Sequence, residues 1–342
     1  MPSTRVKRGI VMLLALVCLA GLALAIWLWL ALVAIAPQTT PGDLLALVHA
    51  TAPPDASVAA KVRQGDRVTM LLLARGGEKS ENPNLTDTVL LLSFGGKGRP
   101  VIVSLPRWLS VGIPAPAHGE LMGQLYAAYA MGARRDDPQL SPRWRTATGG
   151  GDLAAATVAK LTGTRIDGWI LIDIGAFRAL VDALGGIRVT VPAPLDDPRY
   201  PVDDSARVVR IRFDAGPQWM DGERALQYAR SRLSTSDIDR SRRQELVLTA
   251  IFDRLSSKSI GPDLIPVAAA LRRATRTNLH PADLRELAAH IGQGRLRDSR
   301  RITLEDSALL RKDPIAPGAY IVLPRDASYR TLRAYLAGVL SG

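Results

Sequence analysis

The longest uninterrupted apolar stretch of the chain covers residues 10–36. It contains 27 residues and no charge, and a helix needs only about 20 such residues to cross a bilayer. Three basic residues, Arg5, Lys7 and Arg8, precede it. The positive-inside rule therefore predicts a cytoplasmic tail over residues 1–9, a single transmembrane signal anchor, and export of all that follows.

A cleaved signal peptide is the alternative interpretation of this stretch. Residues 34–36 read Ala-Ile-Ala, a small-residue pattern typical of cleavage sites, but the stretch exceeds the roughly 7–15 apolar residues of a signal peptide and Pro37 would follow the cut. We therefore expect an uncleaved anchor in the cell membrane and an extracytoplasmic C-terminal part. The single cysteine, Cys18, lies within the anchor, so the exported part has no disulfide and no thiol chemistry.

The basic composition narrows the class of partner. A net charge of +12 and a pI near 10.3 suit nucleic acid, an anionic membrane or a phosphorylated glycan. Because the predicted anchor exports the basic part, we expect no nucleic-acid partner, and a DNA-binding regulator is excluded. A membrane surface and an anionic glycan remain.

Residues 66–342 alternate between strand-like and helix-like patterns, which predicts one layered α/β/α domain. Residues 37–65 are interrupted by prolines and read as a stalk, and residues 193–207 read as an acidic, proline-rich loop. Strand patterns cover residues 68–73, 89–94, 101–105, 169–174, 187–191 and 208–213. Helical patterns cover residues 119–132, 151–162, 175–184, 222–230, 239–257, 263–275, 281–291 and 328–339. A short glycine-rich connection over 95–100 implies one antiparallel pair, so we expect a mixed central sheet.

The segment 222–244 contains six arginines and three acidic residues. Asp221 is placed to cap a helix that follows it. Arg230 and Arg232 face one site only if the chain leaves that helix near Ala229, because residues two apart share a face in an extended chain and not in a helix.

A second helix is predicted to begin near Ser236 or Asp237. Its first turns would place Asp237 and Arg240 on one face, together with Arg243 or Gln244. Guanidinium groups in such an arrangement suit a phosphate or pyrophosphate. On spacing alone, a solvated or ion-paired face is the more common interpretation of such a segment.

Two motifs in this segment resemble the signature of the LytR-CpsA-Psr family. They are G-x-x-A-L-x-Y-A-R-x-R over residues 222–232 and D-x-x-R-x-x-R-Q over residues 237–244. Members of this family are bacterial cell-surface enzymes that transfer glycopolymers from a polyprenyl-pyrophosphate carrier to peptidoglycan. The resemblance covers residues 66–257 and implies a membrane-anchored phosphotransferase. The implied pyrophosphate contacts are Arg107, Arg230, Arg232 and Arg240, and the implied substrate-binding residues are Asp237, Arg243 and Gln244.

Two further blocks of the family occur earlier in the chain. Asp87-Thr88 matches a block whose aspartate holds Mg²⁺ beside the pyrophosphate, and a carboxylate oxygen is a ligand that this ion prefers. Residues 104–107, Ser-Leu-Pro-Arg, match the block that carries Arg107. Without the resemblance, an aspartate that caps the start of a strand is an equally common interpretation of Asp87, and a surface residue is the more common interpretation of Arg107.

The same half of the chain departs from the family at four places. Trp108 replaces an aspartate, Gln124 replaces a lysine with Tyr126 in place of an asparagine two residues later, Arg75-Gly76 stands where relatives carry an acid, and Leu85 replaces an arginine. The sequence therefore leaves a second function open, a binding protein of the same fold that holds lipid-linked glycans without transferring them.

Overall fold

The computed structural model describes residues 57–76, 83–202, 207–231, 237–255, 275–292, 298–316, 319–326 and 328–341. Within these ranges, no helix combines the length and the apolar character needed to cross a bilayer. The anchor predicted over 10–36, most of the predicted stalk and nearly all of the helical pattern at 263–275 lie outside the described residues.

Six strands form a central sheet in the order β11-β6-β1-β2-β3-β12. They are β1 (Val68–Arg75), β2 (Thr86–Phe94), β3 (Val101–Ser104), β6 (Gly168–Asp173), β11 (Thr275–Thr277) and β12 (Arg300–Thr303). Strands β1, β3, β6 and β12 run in one direction, whereas β2 and β11 run in the other. The predicted mixed sheet is confirmed.

Helices cover both faces of this sheet. One face packs against α2 (Ala127–Gly132), α3 (Gly149–Thr162) and α8 (Arg330–Ser341). The opposite face packs against α1 (Val58–Gln64), α6 (Asp237–Leu255) and α7 (Pro281–Gly292). Leu71 and Met70 of β1 are both buried because successive strand residues point to opposite faces and both faces are covered.

A second apolar cluster joins α6 to α4 (Ile174–Ala183), α5 (Gly222–Arg230) and two antiparallel strand pairs. The pairs are β7 (Ile187–Val191) with β10 (Gly216–Met220) and β8 (Leu195–Pro201) with β9 (Val208–Phe213). Two more hairpins, β4 (Ser110–Ile113) with β5 (Leu121–Gln124) and β13 (Leu310–Ala316) with β14 (Ala319–Pro324), complete the strands of the described residues. Single 3-10 turns cover Pro142–Trp144 and Leu304–Asp306.

Helix α4 ends at Ala183, within one residue of the predicted bound, and two glycines close its C-terminus. Gly185 and Gly186 have φ values of +70° and +90°, and their N–H groups donate to the carbonyls of Asp182 and Val181 at 2.9 Å. These bonds satisfy carbonyls that the helix end leaves open, and glycine adopts the required left-handed backbone without strain.

The helix predicted over residues 119–132 is wrong in its first half. Residues 121–124 form β5 instead, with Leu121 opposite Ile113 across the hairpin. Gly119 has a φ of +76°, and Gly123 would cost about 1 kcal/mol in a helix interior. Leu121 and Met122 are 46% and 65% exposed.

The loop predicted over residues 193–207 is also wrong for most of its length. Residues 195–201 pair with β9, and the register shifts between Asp197 and Tyr200, where Pro198 lies. A strand tolerates proline at such an irregularity because no ladder hydrogen bond is lost there. The acidic Asp196 accepts hydrogen bonds from Arg210 at 2.8 and 2.6 Å, so its charge serves a cross-strand pair.

The folded body begins earlier than the predicted end of the stalk at residue 65. Ser57 caps α1 by accepting from the Ala60 N–H at 3.0 Å, and Ala59 is fully buried. The Ala59 N–H donates to the Asp283 carboxylate of α7 at 2.7 Å. Residues 57–65 therefore belong to the layer that covers one face of the sheet.

Candidate active site

The carboxyl ends of β1, β3, β6 and β12 lie at one edge of the central sheet, which we call the carboxyl edge. Arg75 is the last residue of β1 and lies opposite Thr86 of β2. Asp87 is also at this edge because β2 runs in the opposite direction and begins there. Arg107 follows the end of β3 by three residues. Strand direction therefore brings together three charged residues that are separated in sequence.

Arg107 and Asp87 form an ion pair through Nη1 and Oδ1. The Arg107 side chain is only 13% exposed, whereas that of Asp87 is 50% exposed. The Arg107 Nε is buried and has no hydrogen-bond partner among the described residues. The pair thus offers a shielded cation with unused donor capacity next to a carboxylate that solvent or a ligand reaches.

Two aromatic rings support this ion pair. The Arg107 guanidinium lies 4.8 Å from the centre of the Trp108 ring, and Trp108 meets Tyr126 edge to face at 5.0 Å. The Tyr126 N–H donates to the Arg107 carbonyl at 3.0 Å, and the Thr86 N–H donates to the Tyr126 carbonyl at 3.2 Å. These bonds therefore hold Gln124, the last residue of β5, near the carboxyl edge.

Arg75 is buried at the same edge, with 8% of its surface exposed. Its Nη1 donates to the Asn84 side-chain oxygen at 2.8 Å, and its Nε is buried without a hydrogen-bond partner. Arg75 lies opposite Asp173 of β6 in the parallel ladder. The Asp173 carboxylate is engaged elsewhere, because it caps α4 by accepting from the Ala176 N–H at 2.8 Å.

The two helices on either side of the predicted turn end and begin close to the predicted positions. Helix α5 ends at Arg230, and Ser231 is extended, with φ −50° and ψ 136°. Helix α6 begins at Asp237. Arg232 and the side chain of Asp237 lie outside the described residues.

Arg230 lies beside Tyr200 of β8. Burial raises the pKa of the Tyr200 hydroxyl, and the charge of Arg230 and its hydrogen bond to that hydroxyl act in the opposite direction. Arg230 is half-buried. The structure thus groups Arg230 with Tyr200, and it groups Arg107 with Asp87.

Arg243 binds the backbone of the turn. Its Nε donates to the Tyr228 carbonyl at 2.9 Å and its Nη2 donates to the Ser231 carbonyl. Burial lowers the pKa of Arg243, and nearby Asp239 and Asp197 oppose this effect. The predicted substrate contact at Arg243 therefore has a backbone role in the structure, while Arg240 is buried and Gln244 half-buried.

Helix α6 reaches the carboxyl edge through Glu245. The Glu245 carboxylate accepts from the Thr303 hydroxyl at 3.0 Å, and Thr303 ends β12 beside Ser104 of β3. Phe252, two turns later, packs in the apolar cluster over the sheet face. The first turns of α6, which carry Arg240 and Arg243, therefore extend outward from the carboxyl edge.

The donor set at this edge does not fit a resident metal ion. Among the described residues, no three histidine, cysteine or acidic side chains lie close enough together to bind one. Asp87 is paired with Arg107 and Asp173 caps a helix. A hard divalent ion gains its affinity from several oxygen ligands, so Asp87 would hold Mg²⁺ only in company with ligand phosphates.

Sequence reasoning missed Asp197 and Tyr200. Asp197 is 1% exposed and accepts a hydrogen bond from the Ser231 hydroxyl at 2.7 Å. Both residues lie in the segment that was predicted to be a loop. The alternation of apolar Leu195 with Tyr200 around prolines is too irregular to indicate a strand, so no local signal identified them.

Comparisons with known proteins identify the family of this chain. The sequence model of the LytR_cpsA_psr family matches residues 48–313. The probable cell wall biosynthesis protein LcpB of Corynebacterium glutamicum is 31% identical over 173 residues, which are 50% of this chain and 34% of that protein. The polyisoprenyl-teichoic acid–peptidoglycan teichoic acid transferase TagV of Bacillus subtilis is 34% identical over 133 residues, 38% of this chain and 33% of TagV. The matched segments thus span about a third of the length of these two relatives.

The solved structures agree with the fold. The crystal structure of B. subtilis TagV superposes with a TM-score of 0.60 at 22% identity and covers 81% of this chain and 98% of that chain. TagT bound to LIIa-WTA superposes with a TM-score of 0.58 at 25% identity and covers 81% of this chain and 92% of that chain.

Proposed function

Because the chain belongs to the LytR-CpsA-Psr family, we propose that it is a glycopolymer phosphotransferase of cell-wall assembly. Its relatives include polyisoprenyl-teichoic acid–peptidoglycan teichoic acid transferases. The proposed donor is a glycopolymer on a polyprenyl-pyrophosphate carrier, and the proposed acceptor is a hydroxyl group of peptidoglycan. The observation that carries the proposal is the Arg107–Asp87 pair, a shielded guanidinium with an unused donor at a solvent-accessible edge.

The proposed reaction is a single phosphoryl substitution. The acceptor oxygen forms a bond to the phosphorus that carries the sugar, and the bridging bond between the two phosphates breaks. Polyprenyl phosphate leaves with the bonding electron pair, and the hydroxyl proton passes to water. Chemistry of this kind depends on positioning and on charge stabilisation, so arginines suffice and no protein nucleophile is needed.

In this proposal two groups of arginines hold the pyrophosphate. Arg107 approaches from the end of β3, and Arg230, Arg232 and Arg240 approach from the α5–α6 turn. Asp237 and Gln244 would orient the substrate, while Arg243 contributes by fixing the turn that presents its neighbours. Guanidinium groups suit this task because they present paired donors to phosphate oxygens.

Mg²⁺ is proposed as a cofactor that joins with the substrate. When bound, it would supply further neutralisation of phosphate charge. Asp87 is its proposed protein ligand, and the 50% exposure of the Asp87 side chain supports this role. Asp87 would separate from Arg107 when it binds the ion. The Arg107 donors would then be available to phosphate oxygens.

A binding protein that holds the lipid-linked glycan without transfer is the second candidate. The packing of Trp108 beneath Arg107 favours it, because an aromatic ring occupies the position at which relatives carry an aspartate. Gln124 at the same edge lacks the charge of the lysine it replaces. A charged hydrogen bond is worth about 1.5–3 kcal/mol, so these replacements weaken transfer strongly unless other groups compensate.

The full-length protein tests the two candidates directly. We expect detergent-solubilised protein, mixed with a polyprenyl-pyrophosphate oligosaccharide, MgCl₂ and peptidoglycan fragments, to yield polyprenyl phosphate and a phosphoglycan-modified fragment by mass spectrometry. Arg107→Ala should abolish most of the product, whereas Arg99→Ala, an exposed cation in the β2–β3 connection at the opposite edge of the sheet, should not. Binding of the donor without any product would favour the second candidate.

A further inference from the structure

The buried position of Arg75 calls for a counter-charge. The residue is more than nine-tenths buried at the end of β1. An isolated charge in such surroundings is costly unless it is paired and hydrogen-bonded. A buried arginine therefore needs a carboxylate partner or a bound anion.

No carboxylate pairs with Arg75 among the residues that the structure describes. Its bonds go to the neutral Asn84 side chain at 2.8 Å and to the Pro83 carbonyl at 3.5 Å. The two carboxylates nearest to it in the sheet ladders are engaged elsewhere, Asp87 by Arg107 and Asp173 by the N-terminus of α4. The Nε donor has no hydrogen-bond partner. Within the described part of the chain, Arg75 thus carries an uncompensated charge at the edge of the sheet that also carries the Arg107–Asp87 pair.

We propose that Arg75 is a fixed cation of the pyrophosphate site and makes binding of the pyrophosphate largely independent of a divalent metal. This inference rests on the proposed function, because it concerns the same ligand. Two observations support it together: among the described residues, Asp87 is the one exposed carboxylate at the carboxyl edge, too few for a resident ion, and the same edge has a buried guanidinium with an unused donor. The positive charge of Arg75 neutralises phosphate charge that a bound divalent cation would otherwise neutralise.

The test compares binding with and without metal. Full-length protein in detergent is titrated with geranyl pyrophosphate, a short soluble probe, by calorimetry in excess EDTA and in saturating MgCl₂. We expect the wild-type protein to bind in EDTA, and MgCl₂ should raise its affinity by less than about tenfold, because a cation that binds together with the ligand strengthens ligand binding by the same factor. Arg75→Gln should lower the affinity in EDTA by about 10- to 100-fold, the loss of one charged hydrogen bond, and MgCl₂ should restore part of it.

Two controls separate the charge from general effects. Arg75→Lys keeps the positive charge and should retain most of the affinity in EDTA. Arg99→Gln removes the same charge at the opposite edge of the sheet and should leave the affinity unchanged. Loss of wild-type binding in EDTA would overturn the inference without any substitution, so the inference can be refuted even if Arg75→Gln does not fold.

The outcomes distinguish this inference from the proposed function. Wild-type binding that is lost in EDTA and abolished by Asp87→Asn in MgCl₂ would overturn the role of Arg75 and leave the proposed function standing. Absence of binding in both buffers would overturn both. Equal losses for Arg75→Gln and Arg99→Gln would show that only overall charge matters, which also overturns the inference.

Discussion

Arg243→Ala should destabilise the protein before it affects any ligand. The guanidinium is buried and donates to the carbonyls of Tyr228 and Ser231 at the end of α5. Each charged hydrogen bond contributes about 1.5–3 kcal/mol, and removal of the arginine also removes its cost of burial. We therefore expect a net loss of roughly 2–4 kcal/mol in the free energy of unfolding.

The measurement is a denaturant or thermal unfolding curve of the ligand-free protein. For a domain of this size the expected loss corresponds to a fall of roughly 5–15 °C in Tm. Arg242→Ala is the matched control, because Arg242 is the preceding residue, its side chain is 58% exposed and it forms a 3.8 Å ion pair with Asp239. Such a surface pair is worth under about 1 kcal/mol.

The result also decides the role of Arg243 in binding. If its guanidinium mainly fixes the turn, loss of geranyl pyrophosphate binding in Arg243→Ala should be accompanied by the loss of stability. An unchanged Tm combined with weaker binding would refute this reasoning and would make Arg243 a direct contact for the ligand.

Three further predictions concern the cation, the pH dependence and the topology. Asp87→Asn should remove the part of Mg²⁺ binding that depends on pyrophosphate, as measured by calorimetry; tight Mg²⁺ binding to the ligand-free protein, unaffected by the substitution, would place the cation elsewhere. Burial raises the pKa of Tyr200, Tyr228 and Tyr329, so the unfolded chain releases these protons first and the free energy of unfolding should fall as the pH rises above about 10; ionisation of all tyrosines at one ordinary pKa in the absorbance of the folded protein would contradict this. A reporter fused after Gly342 should be active only outside the cytoplasm, and cytoplasmic activity would contradict the exported topology.

Regular patterns in the sequence predicted several elements closely. Residues 187–191, 208–213 and 222–230 form the predicted strands and helix with the predicted bounds. Helix 222–230 begins where Asp221 accepts from the Arg224 N–H at 2.8 Å, a contact three residues apart that sequence spacing shows directly.

Strands with an irregular sequence pattern were harder to predict. Strand β5 exists because β4 pairs with it, and β8 exists because β9 pairs with it across a register shift. Glycine, proline and charged residues in these strands weaken the alternating pattern on which prediction relies. Context therefore overrode the local propensity at both places.

The features of the candidate site also differ in how far the sequence predicted them. The sequence placed the end of α5 near Ala229 on the condition that Arg230 and Arg232 face one site, and the helix ends at Arg230. The contact between Arg107 and Asp87 depends on the direction of β2 and β3, so only the family resemblance indicated it. The burial of Arg75 follows from the packing around the strand end, which no local pattern records.

The bonds of Arg243 show how the chain is held where it leaves α5. A helix end leaves backbone carbonyls without partners, and no glycine follows Arg230 to close the end of α5 by a left-handed turn. Arg243 supplies donors to the Tyr228 and Ser231 carbonyls, and Asp197 accepts from the Ser231 hydroxyl. These bonds hold Ser231 in the extended conformation that separates Arg230 from the helix to come. Because these bonds fix the backbone next to Arg230, less binding energy would be lost in ordering Arg230 when the proposed pyrophosphate binds.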